Sequence, residues 1–483
     1  METKFTIFEL SSFYDLIVVS FVILGAVRSA ADIFSLSELT AFQAAVLTTL
    51  SKGFYNIYLH PLSRFPGPKL AASTRLWYVY HNLRGHYPRV VLELSKKYGN
   101  VIRVAPNELC YTDGEAWNGI YGHRIGSSEL DKDDMFYRDG SMGSITSARK
   151  DRHTILRKSL SPGFSERALR DQEAVIRSLA DLCITRLYEN SDNGHNLVDL
   201  VQWLNFFTFD VTGQLVFGES FGCLDGSAYH VWIKVIFNSI RAFMFFRCTK
   251  YWSITSALTP YLLTKDMMKR RRDHRDMSVA KANQRKAQGF EKNDLISGLL
   301  NPSAGVHERE YRATAQILIT AGSETTATLM SGAFYFLLMN PGKLRLLEAS
   351  VRDSFSNAAE ITFASTNKLE YLIACINESF RMYPPVPDVL PRNTGAQAVI
   401  VSGMEVPPHV RAPQLLLVAF QLIQIIQTTL GISQWATYQS PANFTKPDEF
   451  IPERWLEDLE FRNDKKSALQ PFSVGPRNCI GKT

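Results

Sequence analysis

The sequence predicts one large, mainly α-helical domain with a small β region, and three observations carry that reading. Long segments repeat apolar residues at three- and four-residue spacing, as from Thr314 to Met339, which is the pattern of helices facing a core. The β-rich pieces are short and scattered, such as "VIRVAPNEL" from Val101 to Leu109. Between residues 70 and 480 there is no internal repeat, low-complexity tract or linker at which the 483 residues would divide.

Taken in order, the chain opens apolar. Leu16 to Val27 ("LIVVSFVILGAV") is uninterrupted, but its twelve residues fall short of the roughly 20 that a spanning helix needs. A second apolar stretch follows from Leu39 to Leu50, and residues 1–52 read as a membrane-anchor region built from one or both. "HPLSRFPGPK", residues 60–69, carries three prolines and a glycine, so residues 53–69 read as a stiff, extended hinge. Residues 70–483 then read as the one large domain, mostly helical to about residue 400. Its densest positive run, Lys269 to Arg275, reads as a solvated helix face or a contact for anionic lipid headgroups.

Composition excludes several classes. With 45% hydrophobic and 21% charged residues the chain is globular rather than disordered. A formal charge of +6 is too mild to argue for nucleic acid. Six scattered cysteines without a CxxC pair indicate free thiols in a reducing compartment.

One cysteine stands apart. The chain closes on "PFSVGPRNCIGKT", where Phe472, Gly475, Arg477, Cys479 and Gly481 follow the pattern FxxGxRxCxG. A thiolate needs backbone N–H groups aimed at sulfur, and glycines permit a close approach of the chain. "ESFR" places Glu378 and Arg381 on one helix face, and "FIPERW" adds Arg454 downstream. "AGSETTA", Ala321 to Ala327, sets a glycine, an acid and two threonines inside a long apolar helix, where Gly322 costs about 1 kcal/mol of helix propensity and Glu324 requires a partner.

These motifs resemble those of the cytochrome P450 superfamily, and the stretches around residues 58–72, 97–109 and 207–222 resemble its fungal microsomal branch of secondary-metabolism hydroxylases. The resemblance implies the cytochrome P450 fold, a haem b with Cys479 as its thiolate ligand, Phe472 over the sulfur, and Arg477 facing a haem carboxylate. It implies His153, Arg157 and Arg392 as further carboxylate partners, with His153 at a position other branches fill with tryptophan. Glu378, Arg381 and Arg454 would form a structural triad. Ala321 and Gly322 would leave a groove for O2, and Glu324 with Thr325 would deliver protons during oxygen activation. The bland alternative for Thr325 is a bond to the carbonyl one turn back.

The implied function is monooxygenation of an apolar small molecule, terpenoid or polyketide, with electrons from NADPH through a separate reductase docking on a basic surface. No Rossmann fingerprint or flavin site is evident in the chain itself. Attachment to the endoplasmic reticulum membrane, facing the cytoplasm, is the expected location. Desaturation, isomerisation, or a non-catalytic truncated product are the alternatives. Two departures from the family pattern support the last: only four residues follow Cys479, and an atypical insertion at 410–430 resembles a translated intron.

Overall fold

The computed structural model describes residues 36–124, 129–137, 143–228, 244–262, 264–291, 294–408, 410–411 and 425–482. The apolar stretch Leu16 to Val27 lies outside them, as does most of the atypical insertion. The second apolar stretch forms helix α1 (Leu36–Phe54). Among the described residues no helix is long and apolar enough to cross a membrane.

The presumed hinge at 53–69 differs from expectation. Its first residues continue helical through a π-turn at Tyr55–Leu59, because the first proline is Pro61. Leu62 and Phe65 are then buried in a core cluster, and the Pro66 carbonyl accepts the Arg103 N–H at 2.7 Å. Gly67 permits that docking, since a Cβ there would collide with the Arg103 carbonyl. The segment is thus packed into the body and is no free connector.

Three helices carry the centre: α2 (Lys150–Leu160), α3 (Leu200–Phe217) and α4 (Glu308–Met339). α3 is largely buried, with Trp203, Phe206, Phe209, Val216 and Phe217 in the core together with polar Asn205, Thr208, Asp210 and Thr212. The Asp199 carboxylate caps its first turn by accepting the Gln202 N–H at 3.2 Å, and Gly218 ends it in the left-handed region at φ 73°. α4 starts where the His307 N–H donates to Glu310 at 2.9 Å. Leu156 and Leu160 of α2 join Ala315, Leu318 and Ile319 of α4 in the largest core cluster. A fourth helix, α5 (Glu370–Met382), carries Glu378 and Arg381.

The β region comprises β1 (Val101–Ala105), β2 (Glu108–Tyr111), β3 (Asp131–Lys132), β4 (Arg392–Asn393), β5 (Val399–Val401), β6 (Met404–Val406), β7 (Val410–Arg411), β8 (Ile425–Ile426) and β9 (Thr429–Ile432). Five of these form one sheet in the order β1-β2-β9-β4-β3. β2 and β9 run parallel and the other neighbours antiparallel, so chain from both ends of the domain meets in one sheet. β7 and β8 pair with each other at the two ends of the insertion.

Candidate active site

Cys479 is exposed, whereas the other five cysteines are buried. Its loop is built by a few backbone bonds. The Cys479 N–H donates to the Phe472 carbonyl at 2.8 Å, and the Asn478 N–H to the Gly475 carbonyl at 3.1 Å. Gly475 sits at φ 77° and a Cβ there would collide with the Tyr121 carbonyl, so the need for glycine comes from the crossing of two backbones. Gly481 is a different case. A Cβ there would lie 3.9 Å from Phe164 and 4.0 Å from the Cys479 sulfur, which is ordinary contact, and the residue's N–H acts on the thiol by lowering its pKa. Burial raises the thiol pKa, while that N–H and the Arg157 charge pull it back down.

The Phe472 ring lies edge-on to Phe380 at 5.3 Å, and its carbonyl is the one that holds Cys479. Arg157 lies against the cysteine loop. Its guanidinium donates twice to Asn478, at 2.5 Å to the carbonyl and 2.7 Å to Oδ1, and so braces the cysteine loop. Arg477 donates to Glu129 at 2.9 Å and to the Ala148 carbonyl at 2.8 Å. Arg392 donates to the Tyr137 hydroxyl at 2.9 Å. His153 is buried, and burial first, then the charges of Arg477, Lys132, Arg157 and Arg392, lower its pKa to about 3. It is therefore a neutral imidazole among four cations.

That cluster includes two residues sequence reasoning missed, Lys132 and Glu129. Only the tertiary fold brings them in, since "ELDKDD" carries no pattern that sets it apart. A cavity of about 480 Å3 adjoins the cluster, lined among others by Gly122, Glu129, His153, Arg157 and Pro476.

On α4, Ala321 and Gly322 are exposed and Glu324 is half-buried. Gly322 also lets α3 come close, because a Cβ would stand 3.1 Å from the Thr212 side chain. Glu324 Oε2 has no hydrogen-bond partner, and burial raises the carboxyl pKa. Thr325 Oγ1 donates to the Ala321 carbonyl at 2.5 Å, the bland bond one turn back, which leaves the oxygen free to accept.

Glu378, Arg381 and Arg454 meet in full burial. Glu378 accepts from Arg381 Nε (2.9 Å) and Nη2 (2.8 Å), Arg454 Nε (3.0 Å), Trp455 Nε1 (2.9 Å) and the Ile451 N–H (2.8 Å). Arg454 reaches on to Asp464, a partner the motifs did not reveal. Two carboxylates balance two guanidinium groups.

Residues 67–410 and 426–483 match the cytochrome P450 family. The chain belongs to that family. The match is interrupted where the insertion departs from it. This P450 is 39% identical to averantin hydroxylase of Dothistroma septosporum over 91% of the chain and 80% of that protein. It is 38% identical to cytochrome P450 monooxygenase tpeC of Talaromyces stipitatus, over 92% and 86%. Against cytochrome P450 monooxygenase cpaH of Aspergillus oryzae the figures are 36%, 89% and 81%. The P450 is accordingly a haem-thiolate monooxygenase akin to those of fungal secondary metabolism, with a haem iron, a cysteine thiolate, O2 and a small-molecule substrate.

The residues present fit a haem. An exposed thiol sits on a loop braced by Arg157, and a group of cations beside it has Glu129 as its carboxylate.

Proposed function

We propose that Cys479 is the axial ligand of this monooxygenase, that Glu324 and Thr325 handle its protons, and that it oxidises an apolar small molecule of fungal secondary metabolism. The observation that carries the reading is the exposed Cys479 in a loop braced through Asn478 by Arg157. When bound, the haem supplies oxygen activation, and the thiolate favours O–O cleavage.

The chain's own groups do the rest. The Gly481 N–H and the Arg157 charge favour the anionic sulfur. Glu324, its pKa raised by burial, holds a proton more readily than an exposed acid, and Thr325 Oγ1 can accept one proton while donating its own. NADPH supplies electrons through a separate flavoprotein reductase, and the endoplasmic reticulum membrane holds the protein with its catalytic domain toward the cytoplasm. The apolar stretch Leu16 to Val27 and the basic run Lys269 to Arg275 support that location as two weak signals acting together.

The test is the carbon monoxide difference spectrum of the reduced holoprotein. Cys479→Ala is expected to abolish the thiolate-haem carbonyl band, and Cys375→Ala, which alters a buried thiol, to retain it. A band that survives Cys479→Ala overturns the ligand assignment.

A further inference from the structure

The short helix Asp134–Tyr137 carries two rings, 4.7 Å apart, that hold different cations. Tyr137 takes Lys132 and Arg392, at 4.5 and 5.6 Å from its centroid. Phe136 takes Arg247, whose Cζ lies 4.4 Å from the ring centroid. Arg247 comes from the helical stretch 244–249, and the next residue, Cys248, belongs to the core cluster that also contains Tyr78, Tyr87 and Val389.

Arg247 is 4% exposed, yet among the described residues it forms no ion pair. Its Nη2 donates to Asn82 Oδ1 at 3.2 Å, and its Nε has no hydrogen-bond partner. One amide and one ring do not replace the water that a buried guanidinium gives up. Arg75 shows the closed alternative: it donates to Glu108 and to Asn107, each at 2.7 Å, and so takes the Glu108 carboxylate out of reach. The carboxylate that remains is Asp388, which is half-buried and next to Val389 in the chain. One of its oxygens accepts the Val389 N–H at 2.7 Å, and it too has no ion pair among the described residues. Burial pushes its carboxyl up to about 6 against the pull of that N–H and of Arg247, so the two charges act on each other without bonding. A donor and an acceptor left open in one neighbourhood fit a neutral group that accepts from the first and donates to the second, and a hydroxyl does both.

We propose that Arg247 and Asp388 bind a hydroxyl group of the substrate, with Arg247 Nε donating to the hydroxyl oxygen and the Asp388 carboxylate accepting its O–H. The proposal rests on the monooxygenase reading above and narrows the substrate from any apolar molecule to one that carries a hydroxyl. Phe136 supplies apolar surface at this subsite and adjoins Tyr137, which stands beside the cation cluster of the cofactor site. A phenol is the favoured form, since its more acidic O–H makes the stronger bond to a carboxylate.

The test is equilibrium dialysis of the purified full-length holoprotein against 2-naphthol and against 2-methylnaphthalene, which has nearly the same shape and no oxygen. Wild type is expected to bind 2-naphthol at least about tenfold more tightly, the scale of one hydrogen bond to a charged group. Arg247→Met and Asp388→Leu should each weaken 2-naphthol about tenfold and leave 2-methylnaphthalene within about threefold. Arg247→Gln and Asp388→Asn, which keep polar groups in place, repeat the comparison if an apolar variant fails to fold. Equal affinity for the two probes in wild type, binding of neither, or 2-naphthol binding indifferent to the loss of Arg247 overturns the proposal. So does an equal loss of both probes, which would mark residues that merely shape the site. A carbonyl band that survives Cys479→Ala sinks the underlying reading; a Cys479-dependent band without a preference for 2-naphthol sinks the hydroxyl subsite alone.

Discussion

Two buried charge clusters in this molecule look alike in composition and differ in how they close. Around Glu378, four ionised groups cancel: Glu378 and Asp464 against Arg381 and Arg454, each 0% exposed at the side chain and each bonded to another of the four. Around Arg477, the cations Lys132, Arg157, Arg392 and Arg477 surround a neutral His153 and share one carboxylate, Glu129. A closed network is a structural knot, because every desolvated charge has found its counter-charge within the chain. An open one leaves charges that only a group from outside the chain would complete, which is the pattern of a binding site. The two also sit differently. The knot ties α5 to the stretch from Lys446 to Asp464, while the open cluster joins two sheet strands, α2 and the cysteine loop.

The largest effect is expected at Glu378, where five donors converge. Glu378→Gln preserves the shape but turns an –NH2 group toward guanidinium and indole donors and leaves two arginines against one acid. The expected loss is on the order of 3–5 kcal/mol, read as lost soluble yield or a collapsed thermal transition before any haem is added. A variant of near wild-type stability would show that the knot is dispensable.

Asp464→Asn ranks next. Asp464 accepts from Arg454 and from the Thr445 N–H at 2.7 Å, and Arg454 keeps Glu378 and the Lys446 carbonyl when it is gone. The expected cost is about 2–3 kcal/mol, measured in the same way. A loss larger than that of Glu378→Gln would reverse the proposed hierarchy.

Arg392→Met gives the contrast its sharpest form. The change removes hydrogen bonds to the Tyr137 hydroxyl and to two carbonyls, worth about 1 kcal/mol each at most. It also removes the cross-strand repulsion from Lys132. The haem-depleted chain should lose at most about 2 kcal/mol, three bonds less the relieved repulsion, against the larger loss expected for Glu378→Gln. Urea unfolding of the haem-depleted forms side by side makes the comparison, and a collapse like that of Glu378→Gln would mean the cluster is part of the scaffold.

How much of this could be read in the sequence follows the same division. The mainly helical fold was legible in the periodicity of stretches such as Thr314 to Met339, which became the greater part of α4. Glu378 and Arg381 were legible because a helix puts them one turn apart, and Cys479 because its glycines recur at fixed offsets. Asp464 and Lys132 were not, since each enters its cluster through tertiary register alone: one through a turn ten residues past Arg454, the other through a two-residue strand paired 260 positions along the chain. The docking of residues 60–66 was hidden for a similar reason. Prolines mark where a helix must end, but they say nothing of Leu62 entering a core or of the Pro66 carbonyl meeting β1.

The smallest effect is a change of slope with pH, and it falls on His153. In the folded chain burial and four neighbouring cations hold its pKa at about 3, against 6.5 for an ordinary imidazole. Between those values the unfolded chain binds a proton that the folded chain refuses, so stability is fully present above about 6.5 and is lost as pH falls toward 3. His153→Gln removes that proton and keeps a neutral polar group in place. In the haem-depleted chain, the stability difference between variant and wild type should be flat above about pH 7 and shift in favour of the variant as the medium is acidified. His60, buried beside Arg103 with its own pKa lowered to about 4, continues to titrate in both proteins, so the variant keeps part of the acid sensitivity. Urea midpoints taken at stepped pH report the difference directly. Curves that stay parallel from neutral to acid pH would mean that His153 is not held neutral by its neighbours, and the picture of an open cation cluster pressing on it would lose its main electrostatic support.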